Sequence, residues 1–161
     1  MITQKMKYAL KALLVLGDAW WARQNGTEVG ALRIEEIARR AEVPKRFLEH
    51  ILLDIRNAGI IGSTRGRAGG YVLIKDPRQV SVSELLRLIE GPIAPLPCLS
   101  RSAYQRCDDC ADEATCRIRR TFAEMFWSYL LLIESLTLDD LLKGGAGSEG
   151  LLPELAAEGR S

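Results

Sequence analysis

A mainly α-helical fold carrying a two-stranded β wing is what the sequence predicts, on three observations. Apolar residues recur at helical spacing in three successive segments between Thr3 and Ala58. Two short β-prone runs, 60–64 and 71–74, flank a turn rich in glycine and arginine, the pattern of a hairpin. Further on, apolar positions from Ile118 to Leu136 step by four and three, the heptad spacing of a long helix that pairs with another. Helix, helix, short turn, helix and hairpin, in that order, make a winged helix-turn-helix. The heptad segment adds a long C-terminal dimerisation helix.

In the first helix Met6, Ala9, Leu10, Leu13, Leu14 and Leu16 form the apolar side, with Lys5, Lys7 and Lys11 between them. Gly26 and Gly30 bound a short loop, and a second helix over 34–41 turns Ile34, Ile37, Ala38 and Ala41 inward. Pro44 suits the opening of a third, over 45–58, because its fixed φ and missing N–H cost nothing in a first turn. Phe47, Leu48, Ile51, Leu52, Ile55 and Ala58 make its inward stripe, and Gly59 stands where a left-handed cap would end it. Past the hairpin, Ser81 with Glu84 three residues on makes a capping box for a fourth helix, stopped by Gly91-Pro92. Pro92, Pro95 and Pro97 then stiffen a connector.

In the long helix Ile118, Phe122, Met125, Tyr129, Leu132 and Leu136 form the heptad seam, and Phe126, Leu130 and Ile133 a second stripe. One stripe can pack on the helix's own domain; the other needs a second surface, which a symmetric homodimer provides. Thr137 caps a short helix over 138–142. The expected organisation is a winged helix-turn-helix over 1–90, a Pro/Cys-rich loop over 91–117, the dimerisation and short terminal helices over 118–142, and a flexible tail over 143–161.

The composition, 47% hydrophobic and 27% charged over 161 residues, is that of a soluble globular protein. No apolar stretch approaches the roughly 18 residues of a membrane span, so no membrane partner is expected. The first twenty residues carry lysines and no small-residue cleavage site, which argues against a signal peptide and for a reducing, cytoplasmic setting. A net charge of +1 hides an asymmetry: residues 1–78 carry +6 and residues 79–161 carry −5. A basic first half points to a polyanion as its partner. The one histidine, His50, falls on the outer face of the third helix, so no nucleophile–base constellation is evident and no enzyme is expected.

A helix-turn-helix presents its second helix to the major groove of double-stranded DNA, and here that helix offers Lys45, Arg46, Glu49 and His50 from its leading end. Lysine and arginine pair with phosphate or guanine edges, and glutamate accepts from cytosine. In RGRAGG the glycines allow close backbone approach, and Arg65 and Arg67 can reach a minor groove. The competing reading is a winged helix that binds protein, with these charges merely solvated.

All four cysteines fall in one run, Cys98-x8-Cys107-x2-Cys110-x5-Cys116, directly before the long helix. Thiolates bind soft metals, and a reducing compartment keeps them available. A structural zinc site, a redox or disulfide switch and an iron–sulfur cluster all accept such a set, and spacing does not separate them.

KYALKALLVL, FLEHILLDIRNAG, STRGRAGGYVL and IEGPIAPLPC, in that order, resemble the bacterial transcription regulators typified by IscR and NsrR, the Rrf-two family. The resemblance runs from about residue 2 to about residue 140. It implies a dimeric winged-helix regulator whose long helix crosses to its partner. By position, Arg65 matches the wing arginine of the family, and Glu49 a residue that chooses between operator classes. Cluster-binding members carry three cysteines in this connector. Cys98 and Cys116 match the outer two and Cys110 the middle one, with Cys107 in an insertion. IscR-like members add a histidine three residues after the last cysteine, here Arg119; NsrR-like members use a carboxylate near the chain start, here Lys7. The resemblance therefore implies an iron–sulfur cluster, 2Fe-2S or 4Fe-4S, on Cys98, Cys107, Cys110 and Cys116, with Asp108 or an outside ligand as substitutes for Cys107. The function implied is operator binding under control of a cluster that senses redox state, nitric oxide or iron–sulfur supply. The alternatives are a zinc-binding or thiol-redox winged-helix regulator, or a protein-interaction module without a cluster.

Overall fold

In the computed structural model, residues 2–144 are described. The first helix, α1 (Gln4–Gln24), starts where the Thr3 hydroxyl accepts the Met6 N–H at 3.2 Å. Thr3 also donates from N and Oγ1 to Glu90, at 3.0 and 2.7 Å, which ties the start of α1 to a later helix. Met6, Ala9, Ala12, Leu13 and Leu16 are fully buried, in the three-four rhythm of one helix face. Leu10 and Leu14 flank them half-buried.

Helices α2 (Ile34–Ala41) and α3 (Lys45–Asn57) pack on α1 and on each other. Between them Glu42 adopts a left-handed φ of 53°, which ends α2 and turns the chain into α3 within three residues. The inward stripe of α3 is narrower than expected. Leu48, Ile51, Leu52 and Ile55 are buried, whereas Phe47 is 43% exposed and Ala58 lies outside the helix on the surface. Four residues at three-four spacing already cover the face that meets α1 and α2, so Phe47 is displaced to its edge.

The hairpin pairs β1 (Ile61–Thr64) antiparallel with β2 (Gly70–Leu73), with Ile61 opposite Leu73 and Thr64 opposite Gly70. Leu32 joins through reciprocal backbone bonds with Tyr71, at 2.9 and 2.8 Å. A Cβ on Gly70 would stand 2.5 Å from the Leu32 carbonyl oxygen, and one on Gly69 2.5 Å from that of Thr64. Two of the wing glycines therefore serve the packing of the wing itself. Only Gly66, at φ 100° with open space around it, stays free for approach from outside.

Helix α4 (Val82–Glu90) takes half of its expected capping box. The Ser81 hydroxyl accepts the Glu84 N–H at 3.0 Å, but the Glu84 carboxylate turns to Lys75 at 2.8 Å. A proline-rich connector leads to the long helix α5 (Arg117–Ser135), which packs on α4 through Phe126, Leu130 and Ile133. Leu136 leaves the heptad seam: it caps the end of α5, half-buried, and its carbonyl accepts the Val82 N–H at 2.8 Å.

Helix α6 (Leu138–Leu142) then returns to α1, where Leu142 sits so close to Gly17 that an added Cβ would meet it at 2.6 Å. Trp21 Nε1 donates to the buried Asp139 at 3.2 Å and completes that seat. Of the tail expected over 143–161, residues 145–161 lie outside the described residues.

Candidate nucleic-acid interface and cysteine loop

The structure leaves every expected DNA-reading residue exposed. Lys45, Arg46, Glu49 and His50 are exposed on the first two turns of α3, and Arg65 and Arg67 are exposed in the turn of the wing. Their situations differ. Lys45 is held by Glu35 of α2 at 2.5 Å; that bond holds the lysine above its ordinary pKa and the glutamate below its own. Arg46 lays its guanidinium 4.8 Å from the centre of the Phe47 ring. His50 lines a hollow of about 310 Å³ between α3 and the start of α1, together with Lys5, Tyr8, Phe47 and Ile51.

Other side chains position this face without having been singled out by sequence. Arg33 Nη2 donates to the Arg67 carbonyl at 2.6 Å, fastening the wing tip to the start of α2. Arg56 Nη1 donates to Ser63 Oγ at 3.4 Å and joins α3 to β1. Phe47 is the largest miss: expected in the core, it stands open beside Arg46 with the Tyr8 ring 5.5 Å behind it. Its apolar character hid it, since it adjoins the inward stripe in sequence.

The cysteine loop is anchored at both ends. Cys98 is buried in a tight turn, Pro97–Leu99, and the Gln105 N–H donates to the Pro97 carbonyl at 3.2 Å to close the base of the loop. Cys116 is the N-cap of α5, its Sγ accepting the Arg119 N–H at 3.4 Å. The C-x2-C segment folds as a turn in which the Cys110 N–H reaches the Cys107 carbonyl at 3.2 Å, and Arg106 braces it by donating to the Cys110 carbonyl at 3.0 Å.

All four thiols are free and half-buried or buried. Cys98 and Cys110 both act on Cys107, and Cys116 acts on Cys110. Desolvation first, and the neighbouring sulfurs with it, pushes Cys107 and Cys110 above the ordinary thiol range. No three His, Cys, Asp or Glu groups come close enough together, among the described residues, to hold a metal ion. The donor set nevertheless fits a thiophilic group: sulfur throughout, free of disulfides, with the only histidine away on α3.

The acidic residues of the loop are occupied in different ways. Asp112 caps the local turn at Ala114 and Thr115, both at 3.0 Å, and Glu113 accepts the Tyr104 hydroxyl at 2.7 Å. Asp108 is exposed.

From Cys116 onward α5 divides its apolar residues between two faces. Phe126, Leu130 and Ile133 are buried on the protein's own side. Ile118, Phe122, Met125, Tyr129 and Leu132 stand exposed, Leu132 at 65%. Trp127 and Leu131 are exposed as well, on a third side that the heptad count did not include.

A family model described as an iron-dependent transcriptional regulator, Rrf2, matches residues 2–144. An rrf2-like HTH-type transcriptional regulator of Rhodobacter capsulatus is 67% identical, across 96% of this chain and 100% of its own length. The regulator NsrR of Geobacillus kaustophilus is 28% identical over 95% of this chain and 97% of its own. Among solved structures, CymR, titled the global cysteine regulator of Bacillus subtilis, superposes with a TM-score of 0.68 at 25% identity, covering 91% of this chain and 98% of that one. The order of helices, the wing and the heptad helix thus agree with a family-wide match over nearly every described residue, and the chain belongs to the Rrf2 family of transcriptional regulators.

Proposed function

We propose that this chain acts as a cytoplasmic homodimer whose hold on a double-stranded DNA operator is set by an iron–sulfur cluster in the cysteine loop. The observation that carries the reading is Cys116: the last thiol of the loop is also the cap of the helix that bears the exposed seam. Cys98, Cys107, Cys110 and Cys116 would hold the cluster. When bound, it supplies a redox-labile link among four thiolates.

The rest belongs to the chain itself. Cys98 is fixed in the turn beside the domain, and Cys116 begins α5, so the arrangement of the loop and the foot of α5 are one mechanical unit. The seam from Ile118 to Leu132 pairs with its copy and sets the angle between protomers. Two recognition helices must lie about 34 Å apart, or a multiple of that, to enter successive major grooves. A change at the foot of α5 therefore alters how well both α3 helices fit at once. The operator affinity shifts by no more than the difference in affinity between the two arrangements. At the DNA, Arg46, Glu49 and His50 face the groove, Lys45 shares its charge with Glu35, and Arg65 and Arg67 extend from the wing.

Oxygen-free purification tests the reading. Coloured protein with near-stoichiometric iron and sulfide supports it; colourless protein that binds its operator normally refutes it. A Cys107→Ser variant that keeps a full cluster removes that residue from the ligand set.

A second reading has its own observation. Among the described residues no three of the free thiols converge on one point, which favours a thiol-redox regulator on the same scaffold. Disulfides formed reversibly by a mild oxidant in the colourless protein support that alternative.

A further inference from the structure

Phe47 carries an inference of its own, resting on the DNA-binding reading above. Phe47 stands 43% exposed on the first turn of the recognition helix and offers apolar surface to whatever meets that face. The side chain is braced in place. The Tyr8 ring lies 5.5 Å away at 43°, and the Arg46 guanidinium rests 4.8 Å from the ring centre. Lys5, on the same flank, is tied to Asp54 at 3.1 Å and keeps α1 against α3 behind the pair. The ring is thus a fixed apolar edge set between cations on a surface made for an anionic partner.

Helical spacing puts Arg46 and His50 on the midline of the outer face and Phe47 at its border with α1. A helix about 10–12 Å across fills a groove about 12 Å wide, so a side chain at its border meets the flank of the groove. There the 5-methyl group of thymine projects, close to the backbone of its own strand. It is the one apolar group that a base presents in the major groove. Phe47 offers it an apolar face.

We propose that Phe47 is a specificity-determining residue that reads a thymine methyl group in each operator half-site, with Tyr8 as its positioning residue. The contact distinguishes thymine from cytosine, whose 5-position bears hydrogen, and demands no hydrogen bond. It supplies the base discrimination that Lys45, engaged with Glu35, is less free to make.

Uracil is the probe, since it differs from thymine by that methyl alone. The full-length protein, prepared without oxygen, selects duplexes from a random thymine-containing library. The enriched duplex is then remade with uracil replacing one thymine at a time. One position per half-site weakens wild-type binding about fourfold, the change that burying a single methyl group carries. Phe47→Ala binds more weakly at the outset and is indifferent to uracil there, whereas Tyr8→Phe retains the wild-type response. Wild-type affinity unchanged by uracil at every position overturns the proposal, with no variant needed. So does Phe47→Ala that still senses the methyl. A library from which nothing is enriched overturns the DNA-binding reading, and this proposal with it.

Discussion

The two ends of the chain bury their apolar residues to very different degrees. In α1 the inward residues reach zero exposure, enclosed by α2, α3 and the returning α6. In α5, a helix of similar length, three apolar residues are buried and seven of the large ones stand exposed. The amino-acid types on the two helices are alike; what differs is how many neighbours the chain folds against them. A single copy suffices to complete the first and leaves the second unfinished. A folded chain rarely leaves so long an apolar stripe open, and the stripe on α5 keeps the heptad spacing that a second identical helix would match.

The largest expected effect tests the unfinished end. Met125→Glu places a charge in the middle of the seam and leaves the core untouched. Light scattering should report a monomer, with circular dichroism unchanged. Operator affinity should fall by about 100-fold or more, since the gain from joining two half-site contacts is lost. A dimer that survives the charge would relocate the interface to Trp127 and Leu131.

The complementary substitution tests the finished end. Leu13→Ala, at zero exposure, should cost about 2–5 kcal/mol in urea unfolding because the enclosing helices cannot collapse into the cavity. Leu131→Ala, at 71% exposure, should stay within about 0.5 kcal/mol at protein concentrations too low for association. Similar losses at the two sites would dissolve the contrast.

Much of this contrast could be read from residue spacing. The boundaries of α2 and α6 matched, as did the hairpin to within one residue, because caps and periodicity are local: Thr3, Thr137 and Pro44 act on the turns next to them. The two stripes of α5 separated as spacing required. What spacing missed was competition between distant groups. Glu84 left its capping box for Lys75, Leu136 left the seam for a backbone bond to Val82, and Phe47 yielded the core to Leu48 and Ile51. The cysteine spacing located a site and not its inner arrangement; nothing in C-x2-C announces that Cys98 is buried in a turn while Cys116 caps α5.

On the DNA side, Arg65→Ala should weaken operator binding about tenfold, the order of one specific arginine contact, with iron content and dimerisation unchanged. Unaltered affinity in a titrated gel shift would remove the wing from the interface and leave α3 to act alone. Arg33→Ala should do the same to a lesser extent, because it frees the Arg67 carbonyl and loosens the wing tip without removing a cation from it.

A smaller loss is expected where the two ends meet. The Thr137 hydroxyl accepts the Asp140 N–H at 3.2 Å and donates to Asp140 Oδ2 at 2.7 Å, which in turn accepts the Thr137 N–H at 2.8 Å. Thr137→Ala should cost about 1 kcal/mol, an ordinary cap, and the loss should appear in unfolding and not in dimerisation, since α6 seats on α1. The bonds from Thr137 hold the Asp140 carboxyl below its usual range. Its contribution is therefore complete above the unfolded carboxylate pKa, about 3.9, and is lost as pH falls through the lower folded value. The difference in stability between wild type and Thr137→Ala should accordingly be flat near neutrality and narrow only in acid. A difference that instead narrowed between pH 6 and 8 would mean that the substitution acts through some group other than this cap.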